Sequence, residues 1–168
     1  MPYADLLRVT VLLTGAEATA LAAITAIAVN RDNDATTLIV AAVWWLIALA
    51  VGLYLGRPSR AADALRDALA RARTATSLPN ETPTRIALSR LWPIGVTAIA
   101  AGVLGLFLPG VAAIGAGYAL LVSLAWHSRE GAVEAIERRD GVRFYVVPSS
   151  ALRPIELVRT PGLRSSPP

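Results

Sequence analysis

Apolar residues along the chain fall into four blocks. The first runs from Leu6 to Val29 and is interrupted by Arg8 and Glu17; the second runs from Thr37 to Leu55. The third spans Leu91 to Leu108 and the fourth Val111 to Trp126, divided only by Pro109-Gly110. A bilayer core of ~30 Å needs a helix of ~20 residues, and about 17 suffice. The first two blocks lack the amphipathic stripe of a surface helix on a soluble domain. Proline followed by glycine is a turn signal, so the last two blocks read as a tight hairpin. The pattern predicts an all-α membrane protein with four transmembrane helices. These are residues 1–29, residues 37–56 and a hairpin over 91–127, with a polar loop at 57–90 and a C-terminal segment at 128–168. Ala26-Ile27-Ala28 resembles a signal-peptide cleavage site, but the apolar run before it exceeds the usual ~7–15 residues and carries a central Glu. The first block is therefore read as a retained span.

Composition supports this placement. Apolar residues make up 55% of the chain and charged residues 17%, against ~45–50% and ~25% in soluble domains. There is no cysteine, which excludes a disulfide framework, a thiolate metal site and a cysteine nucleophile. A single histidine argues against a zinc site made by protein ligands alone. All 16 basic residues are arginine, a usage that fits a high-G+C bacterial genome. Arg8, seven arginines in 57–90 and seven in 128–168 fall on one side of a four-helix topology. Arg31 stands alone on the other, beside Asp32 and Asp34. The positive-inside rule then predicts a protein of the bacterial cytoplasmic membrane with both termini inside. The net charge of +4 becomes an orientation signal with some attraction to anionic lipid, and gives no reason to expect nucleic acid.

The segments outside the bilayer are patterned too. Pro58-Ser59 offers a helix start. Arg60 to Thr74 reads as a short amphipathic helix with Ala61, Leu65, Leu69 and Ala72 on one face, lying either on the inner leaflet or against the protein. Asp63 with Arg66, and Asp67 with Arg71, are supporting pairs. Residues 75–84 read as a linker. Ser128 to Arg139 continues as helix, Asp140-Gly141 turns, Val142–Val147 has strand chemistry, and Pro154–Arg159 makes a second strand. Thr160 onward reads as a disordered tail. A two-stranded hairpin is marginal in water, so this one needs a surface to pack on.

One residue carries the candidate chemistry. Glu17 falls near mid-membrane, where a charge costs about 2.5–3.5 kcal/mol on insertion scales. Thr10, Thr14 and Thr25 share its helix face, so the stripe is expected to face the bundle. Counting residues along each span places Trp45, Gly102 and Tyr118 near the same depth. The Trp45 indole and Tyr118 hydroxyl are the expected donors to the carboxylate. Glu17 is then either a structural pin held by one interhelical hydrogen bond or a protonatable site. Ser123 and His127 stand one turn apart, but no third residue completes a hydrolase constellation. Trp92, Trp126 and Tyr54 fit an aromatic belt, while Trp44 and Trp45 lie deeper. Ala98, Gly102 and Gly105 on helix 3, and Ala113, Gly115, Gly117 and Ala119 on helix 4, let helices approach closely. They serve either the hairpin itself or a homo-oligomer. No phosphate loop, dinucleotide fingerprint or zinc-protease motif is present, and no cofactor is expected.

Four helices with a glutamate in the first are similar in outline to the small multidrug resistance transporters. That resemblance implies a proton- and cation-carrying role for Glu17. The long loop between helices 2 and 3, the added C-terminal segment and the one-sided arginines depart from that family. The run from Asp140 to Val146, followed by Arg153 to Gly162, resembles the tails of uncharacterised actinobacterial integral membrane proteins, a likeness that implies no activity. The sequence leads to a non-enzymatic accessory or assembly subunit. Its expected partners are the lipid bilayer, a membrane or cytoplasmic protein docked on the C-terminal segment, and a second copy of the chain. The alternative is a small oligomeric proton-coupled transporter using Glu17.

Overall fold

The structure is a computed structural model that describes residues 1–57, 65, 69, 72–74, 82–147 and 155–161. Among these are four helices long and apolar enough to cross a membrane: α1 (Tyr3–Asp32), α2 (Ala35–Leu55), α3 (Pro83–Gly105) and α4 (Pro109–Asp140). Three short strands accompany them: β1 (Arg73–Thr74), β2 (Val142–Val146) and β3 (Leu157–Pro161).

The helices run further than hydropathy predicts, because their polar ends are still good helix and are capped locally. Between α1 and α2 only Asn33 and Asp34 remain. Asn33 adopts the left-handed conformation (φ 52°) and its N–H bonds to Val29 O, a role its short polar side chain tolerates. Asp34 caps α2 by accepting the Thr37 N–H at 3.1 Å. At the far end of the hairpin the turn is Leu106–Leu108, and Pro109 begins α4. Proline suits the first helical position, where no N–H partner is needed. α3 starts at Pro83 for the same reason and passes through Pro93 without ending. The Thr97 hydroxyl bonds to Pro93 O at 3.0 Å and to Ile94 O at 2.9 Å.

α4 is the central helix. α1 and α2 both pack on it much more than on each other. Small residues make this approach close. Added Cβ atoms would stand 3.1 Å from Leu124 at Gly52 and 2.7 Å from the Ser128 hydroxyl at Gly56. At Gly105 a Cβ would stand 2.5 Å from that of Ala112, so the hairpin helices do meet. Three more glycines of the small-residue pattern meet side chains of α1 and α2. Gly115 seats Leu21 of α1, Gly117 seats Trp44 of α2, and Gly102 faces Ile24 and Leu21 of α1. Leu38, Ile39, Leu46 and Leu53 on α2, with Leu88, Trp92, Val96, Ile99 and Val103 on α3, are exposed. Spaced three or four apart on α3, these side chains form one outward stripe.

The N-terminus, the start of α3, the end of α4 and the sheet meet at one end of the bundle. Tyr3, Leu6, Leu7, Leu65, Ile86, Val133, Val142, Phe144, Val146 and Leu157 form one buried cluster there. α4 enters it unbroken, since its 32 residues reach about 48 Å and outrun the ~30 Å core. Gly141 (φ 62°) ends the helix, and its N–H bonds to Glu137 O. β2 and β3 pair antiparallel from Val142↔Pro161 to Val146↔Leu157. Val142, Phe144 and Val146 point inward and alternate with Arg143 and Tyr145.

This arrangement supplies, within the chain, the surface that the hairpin was expected to need. β1 extends the sheet in parallel beside β3, with Arg73 opposite Val158. Pro2 bridges to Tyr145, and Met1 O accepts the Val146 N–H at 3.0 Å. The second strand is also displaced from Pro154–Arg159 to Leu157–Pro161. That register buries Leu157 against Val146. Most of the expected helix over Arg60–Thr74 lies outside the described residues. Within it Leu65 is helical and buried, Leu69 packs on the same cluster, and residues 73–74 are strand. The expected disordered tail falls, beyond Pro161, outside the described residues.

Candidate intramembrane site

The threonine stripe of α1 faces the bundle. Thr10, Thr14 and Thr25 are buried, yet none of their hydroxyls reaches another helix. Thr10 donates to Leu6 O at 2.8 Å, Thr14 to Thr10 O at 2.9 Å and Thr25 to Leu21 O at 2.8 Å. Back-bonding of this kind satisfies a hydroxyl in an apolar setting without any partner.

Glu17 is half-buried. Among the described residues its carboxyl has no hydrogen bond or ion pair. It stands seven residues before Ile24, whose side chain lies 3.7 Å from the Cβ position of Gly102. Seven residues are nearly two turns, so Glu17 lies on the α3 side of α1. Gly102 itself sits level with Leu21 and Ile24, deeper than Glu17.

The expected donors lie elsewhere. Trp45 Nε1 donates to Ala113 O of α4 at 2.9 Å. Its ring lines a groove with Ala18, Thr19, Ala22, Ala116 and Leu120, on the α2 side of α1. Tyr118 is 57% exposed and packs edge-on against Trp44, with ring centroids 5.3 Å apart. Trp44 Nε1 donates in turn to Ile114 O at 3.2 Å. The two tryptophans thus fasten α2 to α4 through backbone carbonyls. Ser123 does the same for α1, donating to Val11 O at 3.3 Å. Its hydroxyl is engaged away from His127, which is 73% exposed.

A polar cluster that sequence reasoning did not single out sits at the end of the bundle occupied by the sheet. Glu130 is 13% exposed and receives Arg8 Nε at 3.4 Å and His127 Nδ1 at 3.7 Å. Arg8 on α1 and Glu130 on α4 are far apart in the chain, so only the packing of the two helices joins them. Nearby, Arg129 lies over the Trp126 ring at 5.5 Å, and Arg57 lies over the Tyr54 ring at 4.8 Å. The opposite end holds Arg31 bonded to Asp32 at 3.0 Å. Compared with known proteins, the chain matches no family model, no curated protein and no solved structure.

Proposed function

We propose that the chain is a non-enzymatic accessory or assembly protein of the bacterial cytoplasmic membrane, with both termini inside. The observation that carries this reading is the single buried cluster at the arginine-rich end. It joins the N-terminus, residues between α2 and α3, the α4 extension and the sheet. A folded unit fixed to the bundle by an unbroken helix is suited to holding a surface at a set height above the membrane. Its outward sheet face presents Arg143, Tyr145, Val158 and Thr160, and this is the docking surface for a protein partner. The polar groups inside the bundle support the same reading, since Ser123, Trp44 and Trp45 are engaged in fastening helices.

Removal of the sheet would uncover Leu7 and Val133, so point replacement is the informative test. A photo-crosslinking residue at Tyr145 is expected to trap one discrete protein in cells, while the same residue at Ile39, exposed on α2, traps none. Identical patterns at both positions would overturn the proposal.

A second reading is favoured by one observation, the lack of a hydrogen bond to Glu17 among the described residues. A structural pin would have one. In this reading Glu17 takes up and releases protons during coupled transport of a cation. In proteoliposomes Glu17→Gln then abolishes proton-driven flux, and unchanged flux would rule the reading out.

A further inference from the structure

We propose that an apolar hollow between α1 and α2 and a wider opening beside Arg8, both along α4, form one groove that binds one phospholipid whose headgroup carries both a phosphate and a primary ammonium group. The inference rests on the four helices crossing a bilayer and not on the accessory role.

The groove exists because α1 and α2 lean on α4 rather than on each other. Its floor is one stripe of α4, in which Ala116, Leu120, His127, Gly131 and Glu134 recur at helical spacing. The deep stretch is apolar, about 310 Å³, and lies among Ala18, Ala22, Trp45, Ala116 and Leu120. Toward the sheet end its mouth, a wider opening of about 670 Å³, lies between Arg8 of α1 and the 127–136 stretch of α4; its wall is mostly apolar, with Ala132, Ala135 and Ile136, and its polar groups are Arg8, His127, Ser128, Glu130 and Glu134. Between Ala116 and His127 α4 rises about 16 Å. That is the depth of one leaflet, half of the ~30 Å hydrocarbon core. The mouth also lies where a headgroup would. Trp126 with Arg129, and Tyr54 with Arg57, are the aromatic and basic pairs found at a membrane–water boundary.

Charge selects the headgroup. Arg8 and His127 are 69% and 73% exposed and converge on Glu130. Glu134, one turn beyond Glu130, is exposed. A purely anionic headgroup in this mouth meets two carboxylates, and a purely cationic one meets Arg8. A zwitterion satisfies both: its phosphate accepts from the Arg8 guanidinium and the His127 ring N–H, and its ammonium donates to Glu134 and Glu130. The acyl chain then runs along Ala22 and Leu120 to Trp45.

Native mass spectrometry of the full chain in detergent, with phosphatidylethanolamine, phosphatidylglycerol and phosphatidylcholine added in turn, tests the proposal. Phosphatidylethanolamine is expected to be retained about tenfold over the other two, the factor that one charge-assisted hydrogen bond supplies. Ala22→Phe, which fills the apolar stretch, removes that retention, and Glu134→Gln, at an exposed position, shifts the preference toward phosphatidylglycerol. Free phosphoethanolamine, which has the headgroup without tails, does not compete. Equal retention of all three lipids would overturn the proposal. So would retention untouched by both variants, which means annular lipid only, or competition by the free headgroup.

Discussion

At the scale of residues, the bundle is held by small side chains that admit large ones. Gly117 is the clearest case, because a Cβ there would overlap the Trp44 indole. Gly117→Ala is expected to push Trp44 off its bond to Ile114 O and to cost about 1–3 kcal/mol, the usual penalty for overpacking. Gly95→Ala in α3, where nothing lies within 4 Å, is the control and should leave the thermal midpoint in detergent unchanged or raised. Asp34 is a second case. The Thr37 hydroxyl first, and the Thr37 backbone N–H next, hold its carboxyl below the usual aspartate range. A lowered folded-state pKa means that the stabilisation is present above the unfolded pKa and is lost as pH falls through the folded one. Asp34→Ala should therefore lower the midpoint at neutral pH and lose its effect as pH falls through the lowered folded-state pKa, below the ordinary value of ~3.9. Asp34→Asn, an equally good cap, should stay near the parent at both. The threonine stripe was legible in sequence, since periodicity alone places Thr10, Thr14 and Thr25 on one face. Its inertness was not, because back-bonding to Leu6, Thr10 and Leu21 looks the same in sequence as donation across helices.

At the scale of elements, α4 couples the bundle to the sheet. Beyond the carbonyl that accepts the Gly141 N–H, Glu137 offers its side chain, whose Oε1 accepts the Phe144 N–H at 2.9 Å. Burial raises the Glu137 pKa, opposed by that N–H and by Arg143, and aided by Glu134 and Asp5. A raised folded-state pKa makes this group's contribution fall as pH rises from the unfolded pKa through the folded one. Glu137→Gln keeps the acceptor and sheds the charge, so it should be at least as stable as the parent at neutral pH and no more stable in acid. Glu137→Ala orphans the Phe144 N–H and should cost about 1–3 kcal/mol. Chemical denaturation followed at Trp126, which packs against the same cluster, reads both. The strand β2 was legible from its run of β-branched and aromatic residues over Val142–Val147; its inward and outward alternation came from the structure. β1 was not. Arg73 and Thr74 carry no strand pattern of their own, and they pair because the chain between α2 and α3 returns beside β3.

At the scale of the whole molecule, four helices long and apolar enough to cross a membrane were legible from the apolar blocks, while the order of packing was not. Hydropathy treats Thr37–Leu55 and Leu91–Leu108 alike, and only the seats at Gly52, Gly56, Gly115 and Gly117 reveal α4 as the centre. Of the neighbours assigned to Glu17's depth, Trp45 lies level with Ala18–Ala22 but on the α2 side, and Gly102 meets Leu21 and Ile24, a turn or two beyond Glu17. One global property follows from arginine placement combined with the fold. Among the described residues Arg8, Arg57, Arg129, Arg143 and Arg159 gather at the end that carries the sheet, and Arg31, bonded to Asp32, is the one arginine at the other. Insertion that keeps basic residues inside puts the sheet in the cytoplasm. The chain has no cysteine, so single replacements report cleanly. Asp32→Cys and Glu156→Cys both alter exposed side chains, at opposite ends. In spheroplasts an impermeant maleimide is expected to label Asp32→Cys at once and Glu156→Cys only after the membrane is opened. The reverse order would invert the protein and place the proposed lipid groove in the outer leaflet. Labelling of both positions in intact spheroplasts would mean that the four helices do not all cross.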